Sequence, residues 1–318
     1  MRQNPIIHTL MALCAILLFS ACEHKDLCWH HPHDAKIRVV FDWSKAPDAN
    51  PEWMNVMFYP LDGSEPFNVS FTDIQGGEIT MLTGSYRAIC YNGDTESVSI
   101  YEEKDYDKAY LSTRMTKVLT KTFGEAYTGD APKASGTEDQ AILLEPDMVW
   151  GDHIGLFDVI ETLDEQVITF YPKEEVMDVT VTILNAENLE YCQGQSGALS
   201  GLSSGVLMGS DKVIADKNII PMDLYKTDRT TLEGKILTFG HCPDAEGQHI
   251  YSLYVILGDG SKYVYTWDVT DQMHASTQDP RHIHIILDGV PIPKPITNGS
   301  GFDPEVDDWH TEYIDVVM

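Results

Sequence analysis

Histidines form two groups whose spacing is suited to binding a metal ion. Four lie within ten residues near the N-terminus and two more alternate with isoleucine in a later segment: His24, His30, His31 and His33, then His282 and His284. Imidazole nitrogens are common ligands of zinc and copper. However, the first group borders a terminal linker, and the second has the alternation of the solvent face of a strand. We therefore expect a metal at neither group, and no cofactor.

A Gly-x-Ser-x-Gly motif at 201–205 puts Ser203 where α/β-hydrolases carry their nucleophile. That nucleophile sits on a strained turn between a strand and a helix. The preceding residues 194–197 are Gly, Gln, Ser and Gly, which is not the pattern of a buried strand, and the chain shows no strand–helix alternation. We interpret the motif as a flexible or short helical connection and expect no catalytic residue. Carboxylates clustered at 152–165 and 303–308 are interpreted as solvated acidic surface.

The N-terminus has the features of an export signal. Arg2 and an apolar run at 9–19 match the pattern of a secretory signal peptide over residues 1–21. The sequence Phe-Ser-Ala-Cys at 19–22 resembles the bacterial lipobox, which implies cleavage before Cys22 and attachment of lipid to its sulfur. An ordinary signal peptide without lipidation is the alternative. The apolar run is shorter than the roughly 20 residues that a transmembrane helix needs.

Four further cysteines would remain in the exported chain, namely Cys28, Cys90, Cys192 and Cys242. Export compartments permit disulfides, and pairs Cys28–Cys90 and Cys192–Cys242 would each stay within one half of the chain. Four buried thiols are the equally weighted alternative. No Cys-x-x-Cys motif is present, so redox catalysis and a closed zinc site are not supported.

The composition excludes two classes of protein. The chain has 21 Lys and Arg against 50 Asp and Glu, a net charge of −29, which repels phosphate backbones and makes nucleic acid a poor partner. Its hydrophobic share of 43% and aromatic share of 10% are enough for a buried core, so it is not an acidic disordered tail. A length of 318 residues predicts two domains.

Apolar residues alternate with polar ones from residue 36 onward. In 36–43, Ile37, Val39, Phe41 and Trp43 share one face, which is the period of a half-buried strand. Turn residues separate further segments of this kind, at 55–60, 67–72, 78–82, 86–92, 141–144, 165–171, 177–183, 235–239, 249–257, 262–269 and 282–287. Strands of this length and spacing predict an all-β fold of β-sandwiches.

The strand series divides near residue 173, just after Pro172. Polar residues 101–140 are interpreted as a long, partly mobile excursion. Gly258-Asp259-Gly260 between two strands predicts a hairpin. The predicted organisation is a signal peptide at 1–21, a lipidated tether at 22–35, an N-terminal β-sandwich at 36–172, a C-terminal β-sandwich at 173–290 and an acidic tail at 291–318.

Several segments together resemble the fimbrial anchor and minor fimbrillin lipoproteins of Bacteroidetes, and a related lipoprotein family of unknown function. The segments that carry the resemblance are 27–33, 39–43, 84–88, 92–96, 199–205, 267–272 and 282–285. The resemblance implies two tandem transthyretin-like β-sandwiches, attachment to the outer membrane, and a role in adhesion or in anchoring or capping a fimbrium. Such a protein would be non-enzymatic.

The resemblance also implies how partners would bind. A sandwich presents strand edges to which a fimbrial subunit or another surface protein can add a strand, while lipid holds the chain to the membrane. Glu23 and Asp26 resemble the acidic signals that direct such lipoproteins to the cell surface, although an ordinary solvated tether has the same composition. Repeating shaft subunits are cleaved after an arginine in a linker, whereas Arg38 lies inside a predicted strand, which favours an anchor or accessory subunit.

Aromatic residues suggest a second hypothesis, a surface lipoprotein that binds glycans by stacking sugars on tryptophan. The candidates are Trp29, Trp43, Trp53, Trp150, Trp267 and Trp309. Trp43 and Trp267 lie on apolar strand faces, which favours burial in the core. Trp309, within the acidic tail, is harder to bury and is a candidate contact residue.

Overall fold

The computed structural model describes residues 33–119, 122, 130–241, 247–295 and 309–314. The predicted signal peptide and most of the predicted tether lie outside these residues, as do Cys22, Cys28 and Cys242. No helix among the described residues is long and apolar enough to span a membrane. The described chain is almost entirely β-structure, as predicted.

The strands are numbered in chain order. Those of the first half are β1 (Asp34–Phe41), β2 (Met54–Pro60), β3 (Phe67–Phe71), β4 (Gly76–Leu82), β5 (Gly84–Asn92), β6 (Val98–Tyr101), β7 (Tyr110–Thr113), β8 (Ala141–Ile142), β9 (Trp150–Val159), β10 (Gln166–Phe170) and β11 (Lys173–Glu174). Short 3-10 turns lie at Trp43–Lys45 and Leu189–Tyr191.

The second half contains β12 (Met177–Ala186), β13 (Cys192–Ser203), β14 (Gly205–Leu207), β15 (Lys212–Val213), β16 (Lys217–Asp223), β17 (Tyr225–Lys226), β18 (Leu232–Thr238), β19 (Ile250–Leu257), β20 (Lys262–Asp268), β21 (His282–Val290) and β22 (Trp309–Tyr313). One short helix, α1 (Thr270–Met273), follows β20. Each segment predicted as a strand from its alternation overlaps a strand of the structure.

The first sandwich packs a sheet of order β10-β1-β4 against one of order β11-β9-β5-β2-β3. Alternation in β1 explains the packing, because Ile37, Val39 and Phe41 are buried while Lys36 and Arg38 face solvent. The Phe41 ring meets the rings of Phe71 and Phe170, with centroids 5.6 and 5.9 Å away. The core is therefore closed by residues from both ends of this half of the chain.

The second sandwich packs a sheet of order β17-β18-β12-β21 against one of order β22-β20-β19-β13-β16-β8. Val179, Val181 and Ile183 of β12 are fully buried, and β21 pairs with β12 in parallel along its length. The predicted hairpin at Gly258–Gly260 connects β19 to β20, and Gly260 takes a left-handed φ of 89°. Burial of Tyr251, Tyr265 and Trp267 fills the centre.

A fifth sheet joins the two sandwiches. Its order is β15-β14-β7-β6, so strands from both sides of residue 173 share it, and β8 likewise pairs with β16 of the second sandwich. A separate apolar cluster unites Met57 and Ile89 of the first half with Val206, Met208 and Phe239 of the second. Strands from the two sides of residue 173 therefore share sheets, while the domain division at 173 stays a prediction; the predicted excursion at 101–140 contributes β7 to the junction.

One interpretation of the sequence is wrong. Residues 194–197, which lack the pattern of a buried strand, and the first three residues of the 201–205 motif, interpreted as a connection, belong to the central strand β13. Their small side chains make room for neighbours, since a Cβ on Gly197 would lie 2.3 Å from the hydroxyl of Tyr251. Within the predicted acidic tail, Trp309–Tyr313 pairs in parallel with β20 as strand β22.

Candidate functional site

The second sandwich has two long edge strands, and the edge of β21 is covered. The side-chain amide of Gln272 accepts from the Ile286 amide at 2.8 Å and donates to the Ile286 carbonyl at 3.0 Å. Gln278 does the same for His284, at 2.6 and 3.0 Å. These side-chain amides replace a neighbouring strand, which is one way in which proteins block edge-to-edge association.

The second edge, formed by β22, is held loosely. Five residue pairs join β22 to β20, and four of its five residues are exposed. The Trp309 indole donates to the Asp130 carbonyl at 2.8 Å, and the His310 ring stacks on Tyr263 with centroids 5.0 Å apart. Among the described residues no strand pairs with the outer edge of β22. This edge offers backbone donors and acceptors to another chain.

Ser203 is the last residue of β13 and is fully buried. Its hydroxyl is 2.8 Å from the Gly205 carbonyl and 2.7 Å from the Ile214 carbonyl, in contacts that hold the turn into β14. The motif therefore does not form the strand-to-helix elbow of a hydrolase. Its role in this chain is structural.

His282 and His284 alternate with isoleucine and were expected on the solvent face of a strand. They occupy the solvent face of β21. His282 and His284 are exposed while Ile283 and Ile285 are buried between them. His282 Nδ1 lies 2.9 Å from a carboxylate oxygen of Asp178, and His284 Nε2 lies 2.9 Å from the Thr182 hydroxyl. His24, His30 and His31 lie outside the described residues, while His33 borders the start of β1.

Three other histidines, which no pattern in the sequence marks, come together at one end of the second sandwich. They are His241, His249 and His274, and their nitrogen atoms all lie within 4.8 Å of one another. They are spaced by 8 and 25 residues and belong to three separate segments. No spacing motif in the sequence marks them, because only the pairing of strands brings them together.

The two cysteines among the described residues, Cys90 and Cys192, are buried, and they are not bonded to each other. Burial raises the pKa of Cys192 to about 11 and that of Cys90 well above its ordinary value. Neither thiol is therefore a reactive nucleophile. Since Cys28 and Cys242 lie outside the described residues, the pairings Cys28–Cys90 and Cys192–Cys242 stay predictions.

The described tryptophans give little support to stacking of glycans. Trp267 is buried and lies in the core, as predicted, whereas Trp43, Trp53, Trp150 and Trp309 are half-buried. The Trp43 indole donates to the Ile74 carbonyl at 2.7 Å. Trp29 lies outside the described residues.

Residues 21–223 match a family profile described as "Domain of unknown function (DUF5119)". The chain belongs to this family. The DUF5119 match runs through the first sandwich, the junction sheet and the second sandwich as far as β16. The covered β21 edge, the β22 edge and the three clustered histidines lie in the part of the chain beyond it.

Relatives agree with the predicted resemblance. The chain is 25% identical over 226 residues to a protein of Bacteroides ovatus named as a fimbrium anchoring subunit, Fim4B; the match covers 71% of this chain and 63% of the relative. The chain thus spans less than two thirds of that relative. The predicted resemblance to Bacteroidetes fimbrial anchor proteins is confirmed.

Solved structures share the fold. A crystal structure described as an adhesin of Bacteroides ovatus superposes with a TM-score of 0.64 and 19% identity, over 86% of this chain and 99% of that chain. The fimbrial anchor protein Mfa2 of Porphyromonas gingivalis superposes with a TM-score of 0.50 and 12% identity, over 80% of this chain and 91% of that chain. The predicted β-sandwich architecture is therefore confirmed.

Proposed function

We propose that this protein is a non-enzymatic lipoprotein of the outer membrane, facing the cell surface, that acts in adhesion as an anchoring or accessory subunit of a fimbrium. The observation that carries the proposal is the loosely held strand β22 at an open sheet edge, in a chain similar to a fimbrium anchoring subunit. A fimbrial subunit adding or exchanging a strand at this edge would be held by main-chain hydrogen bonds.

The order of the segments along the chain indicates which sandwich would lie next to the membrane. Eleven residues separate Cys22 from Asp34, the first residue of β1, and they can span at most about 40 Å. Lipid on Cys22 would therefore keep the first sandwich close to the membrane, while β22 belongs to the second sandwich. Several acyl chains together give stable anchoring, because each buried CH₂ contributes about 0.8 kcal/mol to the free energy of membrane binding.

The junction between the sandwiches suits a protein that transmits force. The β7–β14 pairing and the buried cluster around Met57 and Met208 join the halves by main chain and by apolar packing. The Nζ atom of Lys173, in the connecting segment, lies 2.9 Å from Oε1 of Glu175 and 3.3 Å from Oδ2 of Asp211. A junction with this many contacts resists the domain motion expected of sandwiches joined by a linker alone.

The proposal is tested by isolating the lipidated protein from its own membranes. We expect fimbrial subunits to co-purify with the full chain and to be lost when residues 309–318 are deleted. The matched control is Tyr225→Ala at the opposite sheet, which removes an exposed ring and should leave co-purification unchanged. Circular dichroism checks that the truncated chain keeps its β-structure.

The outcomes separate the parts of the proposal. Absence of any fimbrial subunit with the full chain would refute the anchoring role. Full retention after the deletion would refute binding at the β22 edge and leave the role itself standing. Cys22→Ala should abolish labelling with palmitate and release the chain from the membrane; a variant still labelled would refute lipidation at this residue.

A further inference from the structure

Three imidazoles converge where β18, β19 and α1 meet. His241 follows β18 and lies opposite Leu202 of β13, His249 directly precedes β19, and His274 directly follows α1. Their ring centroids are 4.9, 5.1 and 5.7 Å apart. His249 is fully buried, His241 half-buried and His274 exposed, so the cluster runs from the core to the surface.

The position of His249 is fixed from several sides. Its ring Nδ1 lies 3.1 Å from the Ser200 carbonyl, its main-chain amide donates to the Thr270 hydroxyl at 2.9 Å, and its carbonyl accepts from Val269 at 2.9 Å. A β-bulge in β13 lies opposite, where Gly201 has a φ of 77°. Bulges commonly redirect groups next to functional sites.

Only glycine fits at this bulge. A Cβ on Gly201 would lie 2.7 Å from His249 Nδ1 and 2.5 Å from the Gln248 carbonyl. The left-handed conformation is also unfavourable for other residues. The bulge therefore brings the Ser200 carbonyl within 3.1 Å of the ring Nδ1 and the Gly201 backbone close beside the ring.

The hydrogen bond to the Ser200 carbonyl determines which nitrogen of the His249 ring carries the proton. Because Nδ1 faces a carbonyl, it carries the proton, and the lone pair is on Nε2. Nε2 is buried and has no hydrogen-bond partner in the part of the chain that the structure describes. A neutral imidazole held through its second nitrogen is the arrangement found in metal-ligating histidines.

We propose that His241, His249 and His274 bind a divalent first-row transition ion, for which Zn²⁺ is the probe, in a site with one position open to water or to a ligand. Zinc binds imidazole nitrogen at about 2.0–2.1 Å, so tetrahedral ligands lie about 3.3 Å apart. The nitrogen atoms lie within 4.8 Å of one another, and the exposed His274 side chain can rotate to close the remaining gap. Three nitrogen ligands favour such ions over calcium and magnesium, which take oxygen.

Bound metal would tie three segments together and stabilise the cover of the β21 edge. His274 lies between Gln272 and Gln278, the two residues that cover that edge. A metal bond at His274 would therefore hold this segment to β18 and β19. Binding to the folded chain alone raises its thermal stability by mass action.

The experiment titrates Zn²⁺ into the full chain, purified without a polyhistidine tag, by calorimetry. Co²⁺ is titrated in parallel, because its visible spectrum reports tetrahedral coordination. His24, His30, His31 and His33 are replaced by Ala throughout, so that the N-terminal histidines do not contribute. We expect one equivalent to bind, with a rise in melting temperature. His274→Ala, at an exposed position, should weaken binding at least about tenfold and remove the rise.

The matched control is His282→Ala with His284→Ala, an exposed histidine pair in the same sandwich, which should leave affinity unchanged. Absence of saturable binding at one equivalent would overturn the proposal. So would unchanged affinity in His274→Ala, or equal weakening in the control pair. His249→Gln provides a second variant, in which loss of the tetrahedral cobalt spectrum with retained β-structure is expected.

Discussion

Strands β21 and β22 are both parallel edge strands of the second sandwich, and they are held in very different ways. β21 pairs with β12 from Asp178 to Ala186, buries Ile283, Ile285 and Leu287, and has its free edge covered by two glutamines. β22 pairs with β20 over five residues and is mostly exposed. The first strand is part of the core, whereas the second adds little to it.

This difference indicates at which edge a partner's strand could replace the protein's own strand. Displacing β21 would expose a row of buried aliphatic side chains to water, which costs a free energy of about 25 cal/mol per Å² of apolar surface. Displacing β22 would mainly break main-chain hydrogen bonds, which a partner's strand can form again. An edge is therefore available to a partner when its own strand has little buried apolar surface, and not simply because it lies at the border of a sheet.

The largest expected effect is on the free energy of unfolding, which should fall far more for a substitution in β21 than for one in β22. Ile285→Ala in β21 should lower the free energy of unfolding by about 3 kcal/mol, because it leaves a cavity in the core. Tyr313→Ala in β22, at a side chain 63% exposed, should change it by less than about 0.5 kcal/mol. Chemical denaturation measures both. Similar losses in the two variants would contradict the distinction between the strands.

An intermediate effect is expected when the covered edge is opened. Replacing both Gln272 and Gln278 by Ala removes four hydrogen bonds from the edge of β21, and we expect a loss of about 1–2 kcal/mol together with concentration-dependent self-association. Sedimentation velocity over a range of concentrations measures the association. Gln193→Ala, an exposed glutamine of β13, is the control and should stay monomeric. A monomeric double variant would show that the glutamines do not protect this edge.

The smallest effect concerns a charged contact that holds β21 to its sheet. Burial alone would raise the pKa of Asp178, but hydrogen bonds from Lys235 at 2.8 Å and His282 at 2.9 Å outweigh it and lower the pKa below 3.8. Stability from this carboxylate is therefore present above pH 3.8 and is lost as the pH falls through the folded pKa.

Asp178→Asn should consequently destabilise the protein by about 1 kcal/mol at pH 7, with the difference shrinking toward pH 2. Urea denaturation across this range measures it, and Asp48→Asn in an exposed turn should show no such trend. A difference that is constant with pH would mean that the ionised carboxylate is not the stabilising group.

Alternation along the chain was sufficient to predict the strands that have one buried face. β1, β12 and β21 each place an apolar residue at every second position, and local spacing decides such strands because successive side chains point to opposite faces. The same rule placed His282 and His284 in solvent, on the face opposite Ile283 and Ile285.

Central strand β13 carried no such signal. Its glycines, serines and alanine are buried on both faces by neighbours such as Tyr251, so small size replaces alternation as the condition for burial. The junction strand β7 and the edge strand β22 were missed because each is completed by residues far away in sequence.

Residue types along the chain were thus enough to predict an export signal and to give the acidic composition, the β-sandwich architecture and the resemblance to fimbrial anchor proteins. Strand pairing over long distances decided that the halves share a sheet, that β22 is loosely held, and that three histidines meet. The reason is physical, because periodicity reports what a strand buries on its own two faces. Which strand lies beside it depends on contacts between residues that local sequence does not connect.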